Sequence, residues 1–260
     1  MNLESFKEQN GYTIDDVWYP RVTSICGIKH KPALTYFYAA AESYADANRK
    51  KDLAASEGKV IHEMIEKVIR GEEPTVAEHQ LGFREAFREF LGQHSFHARR
   101  EWIERRVKHP THRYSGTFDL LAEVDGVFSL VDIKTSSGIW PDYALQTSAY
   151  LYALNDEPWL SDEKGKRTIL PKAVEKRYVL RLNQVRRCDQ CGAIQRVREM
   201  GDKIINGKNK NGCVHSWGPL MADWELKEFS NNEIDFKGFL HCKGVWEWEC
   251  RKELEELGYL

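Results

Sequence analysis

The segment GTFDLLAEVDGVFSLVDIKTS, residues 116–136, sets the architecture expected of this chain. Two apolar runs flank Asp125-Gly126. A two-residue loop of that composition predicts a β-hairpin, because both of its residues must take positive φ. With that loop Val124 faces Val127, and the same register carries Asp119 opposite Asp132. Alternation along the strand puts Lys134 on the face of Asp132. The other face carries Phe118, Leu120, Ala122 and Val124, with Val127, Val131 and Ile133 across from them and Ser129 as the one interruption. That face is expected to be core.

Two carboxylates directly across a ladder stand ~4.5–5.5 Å apart at Cβ, and like charges there are destabilising. A divalent cation removes the conflict. A half-open site of hard oxygen ligands suits Mg²⁺ or Mn²⁺, which keep several waters and accept one or two carboxylates. Lys134 beside it could orient a water or meet developing negative charge, and the Ile133 carbonyl could be a further ligand. From the hairpin alone, an exposed Asp–Lys salt bridge reads equally well. The surrounding segments decide.

Residues 141–155, PDYALQTSAYLYALN, read as a helix opening at a proline, with Gln146 and Tyr150 four apart on one face. Upstream, ASEGKVIHEMIEKVIRG repeats apolar pairs at Val60/Ile61, Met64/Ile65 and Val68/Ile69 and stops at Gly71, which is helical periodicity. His62 flanks that stripe. Taken alone, a helical histidine is more often a surface or satisfied core residue than a ligand.

The order is Gly58-x-x-x-His62, Gly116-x-x-Asp119, Asp132-Ile133-Lys134, then Gln146-x-x-x-Tyr150. It resembles the RecB-like branch of the PD-(D/E)XK nuclease superfamily. The N-terminal YPRVTSICGIKHKPAL is similar to the entry segment of phage exonucleases and mitochondrial genome maintenance exonucleases. The similarity spans about residues 18–155, and the four-part order is far more specific than any one part. The resemblance implies a restriction-endonuclease-like α/β core with helices on a central mixed sheet. It further implies that Asp119, Asp132 and the Ile133 carbonyl hold the catalytic Mg²⁺ or Mn²⁺, with His62 as an extra ligand. Lys134 would position the attacking water, and Gln146 and Tyr150 would orient Lys134 or touch the substrate backbone. Glu104, in EWIERRVKHP, could add an acidic group, or could be an exposed strand glutamate.

The implied activity is hydrolysis of DNA by an exonuclease working on single strands or duplex ends in recombination, repair or phage DNA metabolism. A recombination or replication protein would be a further partner. The alternatives are a structure-specific or restriction-type endonuclease and a non-catalytic zinc-containing module that binds nucleic acid. Trp140, in the loop after Lys134, is the aromatic residue best placed to stack on a base, although most such rings are core.

With 42% hydrophobic residues the 260-residue chain can bury one good core and a small satellite. Its net charge of −2 gives no global sign of nucleic-acid binding, but the distribution is uneven. Residues 181–210 hold eight Lys/Arg against three acids, whereas 222–260 hold five against ten. The first stretch suggests a basic patch, with Arg186, Arg187, Arg196 and Arg198 as substrate contacts, or else a solvated loop. Glu4, Glu8, Asp15 and Asp16 argue against a leader in the first twenty residues, and nothing approaches a membrane span. A cytoplasmic setting is therefore expected, and six cysteines in a reducing interior point to metal rather than disulfides.

Cys188-x-x-Cys191-Gly has zinc-knuckle spacing, and Cys213-x-His215 supplies a second pair. Four N/S ligands in two pairs suit a closed, structural Zn²⁺ that would supply the folding energy of so small a module. Some RecB-like nucleases instead hold a [4Fe–4S] cluster, for which Cys26, Cys188, Cys191 and Cys213 would be the set. The long gap before Cys213 departs from the tight late cluster of those proteins, and His215 is better used by zinc. Cys242 and Cys250 read as small core residues.

Further helices are expected over 32–52, 75–92 and 236–257, the second with Phe83, Ala86, Phe87, Phe90 and Leu91 on one stripe, and strands near 100–108 and 174–183. Residues 1–183 would then form the nuclease core, 184–220 the Cys/His insert, and 221–260 a helical segment completing the core.

Overall fold

The computed structural model describes residues 2–161, 167–207 and 212–260. Lys208 and Lys210 of the basic stretch lie outside them. The chain opens with α1 (Leu3–Asn10), a small hairpin β1 (Gly11–Ile14) and β2 (Val17–Pro20), and helices α2 (Val22–Gly27), α3 (Pro32–Ala39) and α4 (Tyr44–Ile69). A 3₁₀ turn (Glu78–Gln80) leads into α5 (Leu81–Gln93). Three long strands follow: β3 (Phe96–His109), β4 (Tyr114–Val124) and β5 (Val127–Lys134). Next come α6 (Asp142–Asp156), the short β6 (Trp159–Ser161) and β7 (Arg167–Ile169), and β8 (Lys176–Arg187). The chain ends with β9 (Ile194–Arg196), β10 (Lys203–Asn206), β11 (Met221–Glu228), α7 (Asn232–Glu249) and α8 (Arg251–Glu256).

The expected helical stretch 32–52 is broken at Ser43, whose side chain accepts the Asp46 N–H at 3.1 Å and caps α4. From that cap α4 runs 26 residues and ends before Gly71, which takes the left-handed φ of 76° that closes a helix.

The sheet is mixed and runs β7-β6-β3-β4-β5-β8-β11, and β9 pairs with β8 on the β5 side, beyond the end of β5, since Val185 has Arg196 on one side and Met221 on the other. The β5–β8 pair is parallel, and α6 crosses between those strands. Strand β8 continues to Arg187, so the Cys/His insert leaves the sheet at Cys188 rather than at 184. The segment after the insert begins with a strand, β11, paired along its length with β8 from Val185↔Met221 to Tyr178↔Glu228. Its residues alternate, with Ala222, Trp224 and Leu226 packed on the core of α4 and α5 and Asp223, Glu225 and Lys227 between them, so the helical expectation for 221–260 gives way to a strand as far as Glu228.

Both sheet faces are core. On one, α4 and α5 bury Ile61, Met64, Ile65, Phe83, Phe87 and Phe90 against Leu120, Ala122, Val131, Ile133, Leu180 and Leu182. On the other, α2, α6 and α7 pack Ile25, Tyr150, Leu154 and Phe239 against Tyr114, Phe118, Leu121, Phe128 and Leu130. The expectation of one apolar face on the 116–134 hairpin is therefore half of the arrangement. Parallel crossovers put helices on both sides of a sheet, and such strands are apolar on both faces. No helix among the described residues is long and apolar enough to cross a membrane.

Candidate functional site

The hairpin register is as read, with Val124↔Val127 through Leu120↔Val131, and Asp125 and Gly126 take φ of 50° and 82° in the turn. The next pair does not form. Leu120 belongs to the α4/α5 core and Phe118 to the α6 core, so the alternation of β4 breaks at Asp119. The β3–β4 ladder also skips this position, passing from Ile103↔Leu120 to Arg105↔Phe118, and Glu104 sits in the gap with φ at 49°. Irregularities of this kind re-aim side chains next to functional sites.

Asp119 accordingly does not stand beside Asp132 as a ladder partner. One oxygen of Asp119 accepts the Ile133 N–H at 2.7 Å, and the other lies 3.8 Å from His62 Nδ1 on α4. Glu104 reaches the same imidazole nitrogen at 3.7 Å. His62, Glu104 and Asp119 each bring a ligand atom within 4.8 Å of the others. Burial works against a charged ring at His62, but the Asp119 carboxylate and the nearby Glu104 carboxylate outweigh it and hold the imidazole up to about 9. A cation entering here would displace a proton.

Asp132 is fully buried on the side of α6. Lys134 Nζ lies 2.6 Å from its Oδ2, and Gln146 Nε2 donates to Oδ1 at 3.3 Å. The same amide reaches the Tyr150 hydroxyl at 3.3 Å, so the helical pair Gln146/Tyr150 does converge on the Asp-x-Lys strand end. Burial pushes the Asp132 carboxyl up, partly offset by Lys134. Lys134 is thus the partner of Oδ2, and Gln146 that of Oδ1. The imidazole and carboxylate donors of His62, Glu104 and Asp119, within 4.8 Å of one another, are a set that fits a hard divalent ion.

The motif glycines have steric reasons. A Cβ on Gly116 would lie 2.5 Å from the Tyr150 ring, and one on Gly58 would lie 3.3 Å from Thr135 Oγ1, just beyond Lys134. These two glycines let α6 and α4 close on the strand ends.

His62 and Glu104 line an open cleft of about 890 Å³ with Lys59, Glu66, Arg100 and Arg105. Among the described residues, neither Arg100 nor Arg105 is ion-paired. Trp140 is 38% exposed but lies outside this cleft, in an apolar hollow with Leu34, Phe37 and Tyr143. That hollow adjoins the site, because Lys134 Nζ stands 5.1 Å from the Tyr143 ring centre.

The insert arginines divide. Arg187 is exposed, and Arg186 is half-buried in a separate hollow with Glu78 and Glu85. Arg198 is buried in an ion pair with Glu57, and Arg196 donates to Asn183 at 2.8 Å and to the Thr135 carbonyl at 2.5 Å. Arg196 and Arg198, expected to face a substrate, have their guanidinium groups engaged by Asn183, Thr135 and Glu57 of the protein itself. Sequence spacing carries no signal of this, because the partners lie 13 to 141 residues away.

Cys188, Cys191, Cys213 and His215 bring one ligand atom each within 4.8 Å. Cys188 and Cys213 Sγ are 3.9 Å apart, close to the roughly 3.8 Å edge of a tetrahedron with ~2.3 Å metal–sulfur bonds. Cys191 Sγ and His215 Nδ1 are 3.3 Å apart. Burial raises the Cys188 thiol, but backbone N–H groups of the knuckle and the His215 ring outweigh it and bring it down to about 6. Cys213 is pushed up to about 11 by burial and by the neighbouring sulfurs. Four such groups crowd one another without a cation, and a metal such as zinc suits them. Cys26 lies in the apolar core with Ile25 and Tyr150 and is not part of this group, so His215 takes the fourth place that the iron–sulfur alternative gave to Cys26. Cys242 and Cys250 pack at the edge of that core.

No known protein family matches this chain, and no curated protein is detectably similar to it.

Proposed function

We propose that this chain is a metal-dependent nuclease hydrolysing DNA phosphodiester bonds, and that it acts as an exonuclease on ends or single strands. The observation that carries the reading is the convergence of His62, Glu104 and Asp119, from a helix and two strands, beside the buried Asp132–Lys134 pair at the rim of a cleft. A structural salt bridge needs no histidine and second acid reaching in across a broken ladder.

His62, Glu104 and Asp119 would hold Mg²⁺ or Mn²⁺, with Asp132 and the Ile133 carbonyl closing the set. Such an ion, when bound, lowers the pKa of water and offsets charge on the phosphate. Lys134 is kept cationic by Asp132 and Asp119 despite its burial. It faces the phosphate as a fixed positive charge and orients the attacking water. Gln146 fixes the Asp132 carboxylate, and Tyr150 fixes Gln146. Lys59, Arg100 and Arg105 take the backbone phosphates along the cleft, which moves substrate binding from the insert to β3 and α4. The Cys/His group holds structural zinc. The likeness of the four-part motif order to RecB-like nucleases supports the reading independently of the geometry.

The test is cleavage of end-labelled linear and unlabelled circular DNA with Mg²⁺ or Mn²⁺, wild type beside Lys134→Ala and Asp119→Asn. Linear DNA should be degraded, circles spared, and both variants and EDTA-treated enzyme should be inactive. Cutting of circles would make it an endonuclease. Full activity in both variants would remove the site, and binding without cleavage under every condition would leave a nucleic-acid-binding module.

A further inference from the structure

The Thr135 carbonyl, one residue beyond Lys134, is the meeting point of three segments. Arg196 of β9 donates to it at 2.5 Å, and Arg198, two residues on and thus on the same side of the chain, donates to it as well. Arg198 also pairs with Glu57 of α4, and Glu57 accepts the Glu199 N–H at 3.2 Å through its other oxygen. Glu57 precedes Gly58, the residue that lets α4 approach Thr135, and His62 stands about one and a half turns further along the same helix. Glu57 and Arg198 are 1% and 7% exposed. A buried pair of this kind is seldom a net gain in stability over apolar packing. Its retention asks for another reason, and its position offers one.

The strand that carries Arg196 and leads to Arg198 is hung from the Cys/His group. Cys188 and Cys191 form the turn between β8 and β9, closed by Cys188 N–H to the Ala193 carbonyl at 2.8 Å and Gly192 N–H to the Cys188 carbonyl at 2.9 Å. The β8–β9 pairs then run from Arg187↔Ile194 to Val185↔Arg196. The Val197 N–H continues them to the Gln184 carbonyl at 3.2 Å. Ligands that fix this turn fix the register of β9, and the register fixes where Arg196 and Arg198 point.

We propose that the Cys/His insert is a positioning clamp: Arg196 and Arg198 grip the Thr135 carbonyl and Glu57, and so hold Lys134 and His62 in one mutual geometry. Arg196 and Arg198 are positioning residues that touch neither substrate nor reacting atoms. The catalytic consequence rests on the nuclease reading, whereas the clamp itself does not. A lysine cannot replace either one, since a point charge lacks the planar fork that reaches a carbonyl and a second acceptor together.

Two readouts on the full chain separate the possibilities. The first is hydrogen exchange of the segment 133–138 in the wild type, Arg196→Lys, Arg198→Lys and Cys213→Ser. Exchange of 133–138 should rise at least tenfold in all three variants, while the β4–β5 turn at 121–128 keeps its wild-type rate. The second is steady-state cleavage, where kcat should fall by about tenfold to a hundredfold with KM within twofold, because a misplacement of about 1 Å costs that much. Arg196→Lys leaves the Glu57–Arg198 pair intact and folds even if Arg198→Lys does not. Unchanged exchange at 133–138 in Arg196→Lys would overturn the clamp. A rise in KM at constant kcat would overturn it too, by making the arginines substrate ligands. An inactive wild type would end the nuclease reading and leave the exchange experiment to decide the clamp.

Discussion

Glu104 is a charged, non-glycine residue in the middle of a strand with φ at 49°, a conformation that costs an L-residue roughly 1–2 kcal/mol. Strain of that size persists where the surroundings enforce it, and it gathers at working sites. Here the kink turns the carboxylate toward His62 and Asp119, adding a second negative charge where one already stands. The backbone cost falls away in Glu104→Gly, offset in part by loss of the Glu104 charge beside the His62 imidazolium. That variant should be more stable by about 0.5–1 kcal/mol, seen as a higher urea midpoint at unchanged m, because glycine takes positive φ freely. Its affinity for Mn²⁺ should drop by about tenfold or more, in the usual opposition of stability and function. A destabilised Glu104→Gly with normal Mn²⁺ binding would mean that the residue serves the fold alone. The kink was beyond reach from sequence, since EWIERRV reads as an ordinary strand and nothing local demands that its ladder skip a pair.

At the scale of elements, what was legible followed from local periodicity. The stripe of α5, the pairs on α4, the Asp-Gly turn and the two Cys/His pairs each depend on residues within a few positions of one another, and the structure brings each together as expected. What was illegible depends on distance in sequence. The Glu57–Arg198 pair spans 141 residues, and the lateral pairs of Asp223 and Glu225 with Arg181 of β8 span 42 and 44. The basic stretch reads as surface because charge usually is, yet Arg181 and Arg198 are buried by partners elsewhere in the chain. The Cys/His element also allows a direct check. It carries almost no apolar bulk of its own, so a bound ion should supply its folding energy. The purified chain should carry one equivalent of zinc by elemental analysis. Stripping that metal should lower the melting temperature and raise exchange over 188–217, leaving 81–93 protected. Cys213→Ser should reproduce the loss. Full metal content in that variant would remove Cys213 from the ligand set.

Across the whole molecule, the two layers flanking the sheet must stay docked, and one histidine marks the seam between the sheet and its C-terminal helix. His109 ends β3, is 5% exposed, and lies ring to ring with Phe236 of α7, their centres 6.0 Å apart at 10°. His112 and Tyr114 pack on the same ring, and Asp156 at the end of α6 is 3.3 Å from Nδ1. Burial and the His112 ring disfavour the imidazolium more than Asp156 favours it, which brings His109 down to about 4. The folded pKa therefore lies below the ordinary value near 6.5, so the unfolded chain binds the proton more readily than the folded one. Stability from this site is complete above pH 6.5 and is lost as the pH falls from there through 4, by at most on the order of 3 kcal/mol. The His109→Phe variant keeps the aromatic contact with Phe236 and has nothing to titrate. Between pH 7 and 4.5 its unfolding free energy should decline less steeply than that of the wild type, and the difference between the two should move steadily in favour of the variant. Parallel urea titrations at four or five pH values would measure it. Two parallel curves would mean that His109 is protonated in the folded protein as readily as in the unfolded chain, with Asp156 rather than burial governing the seam.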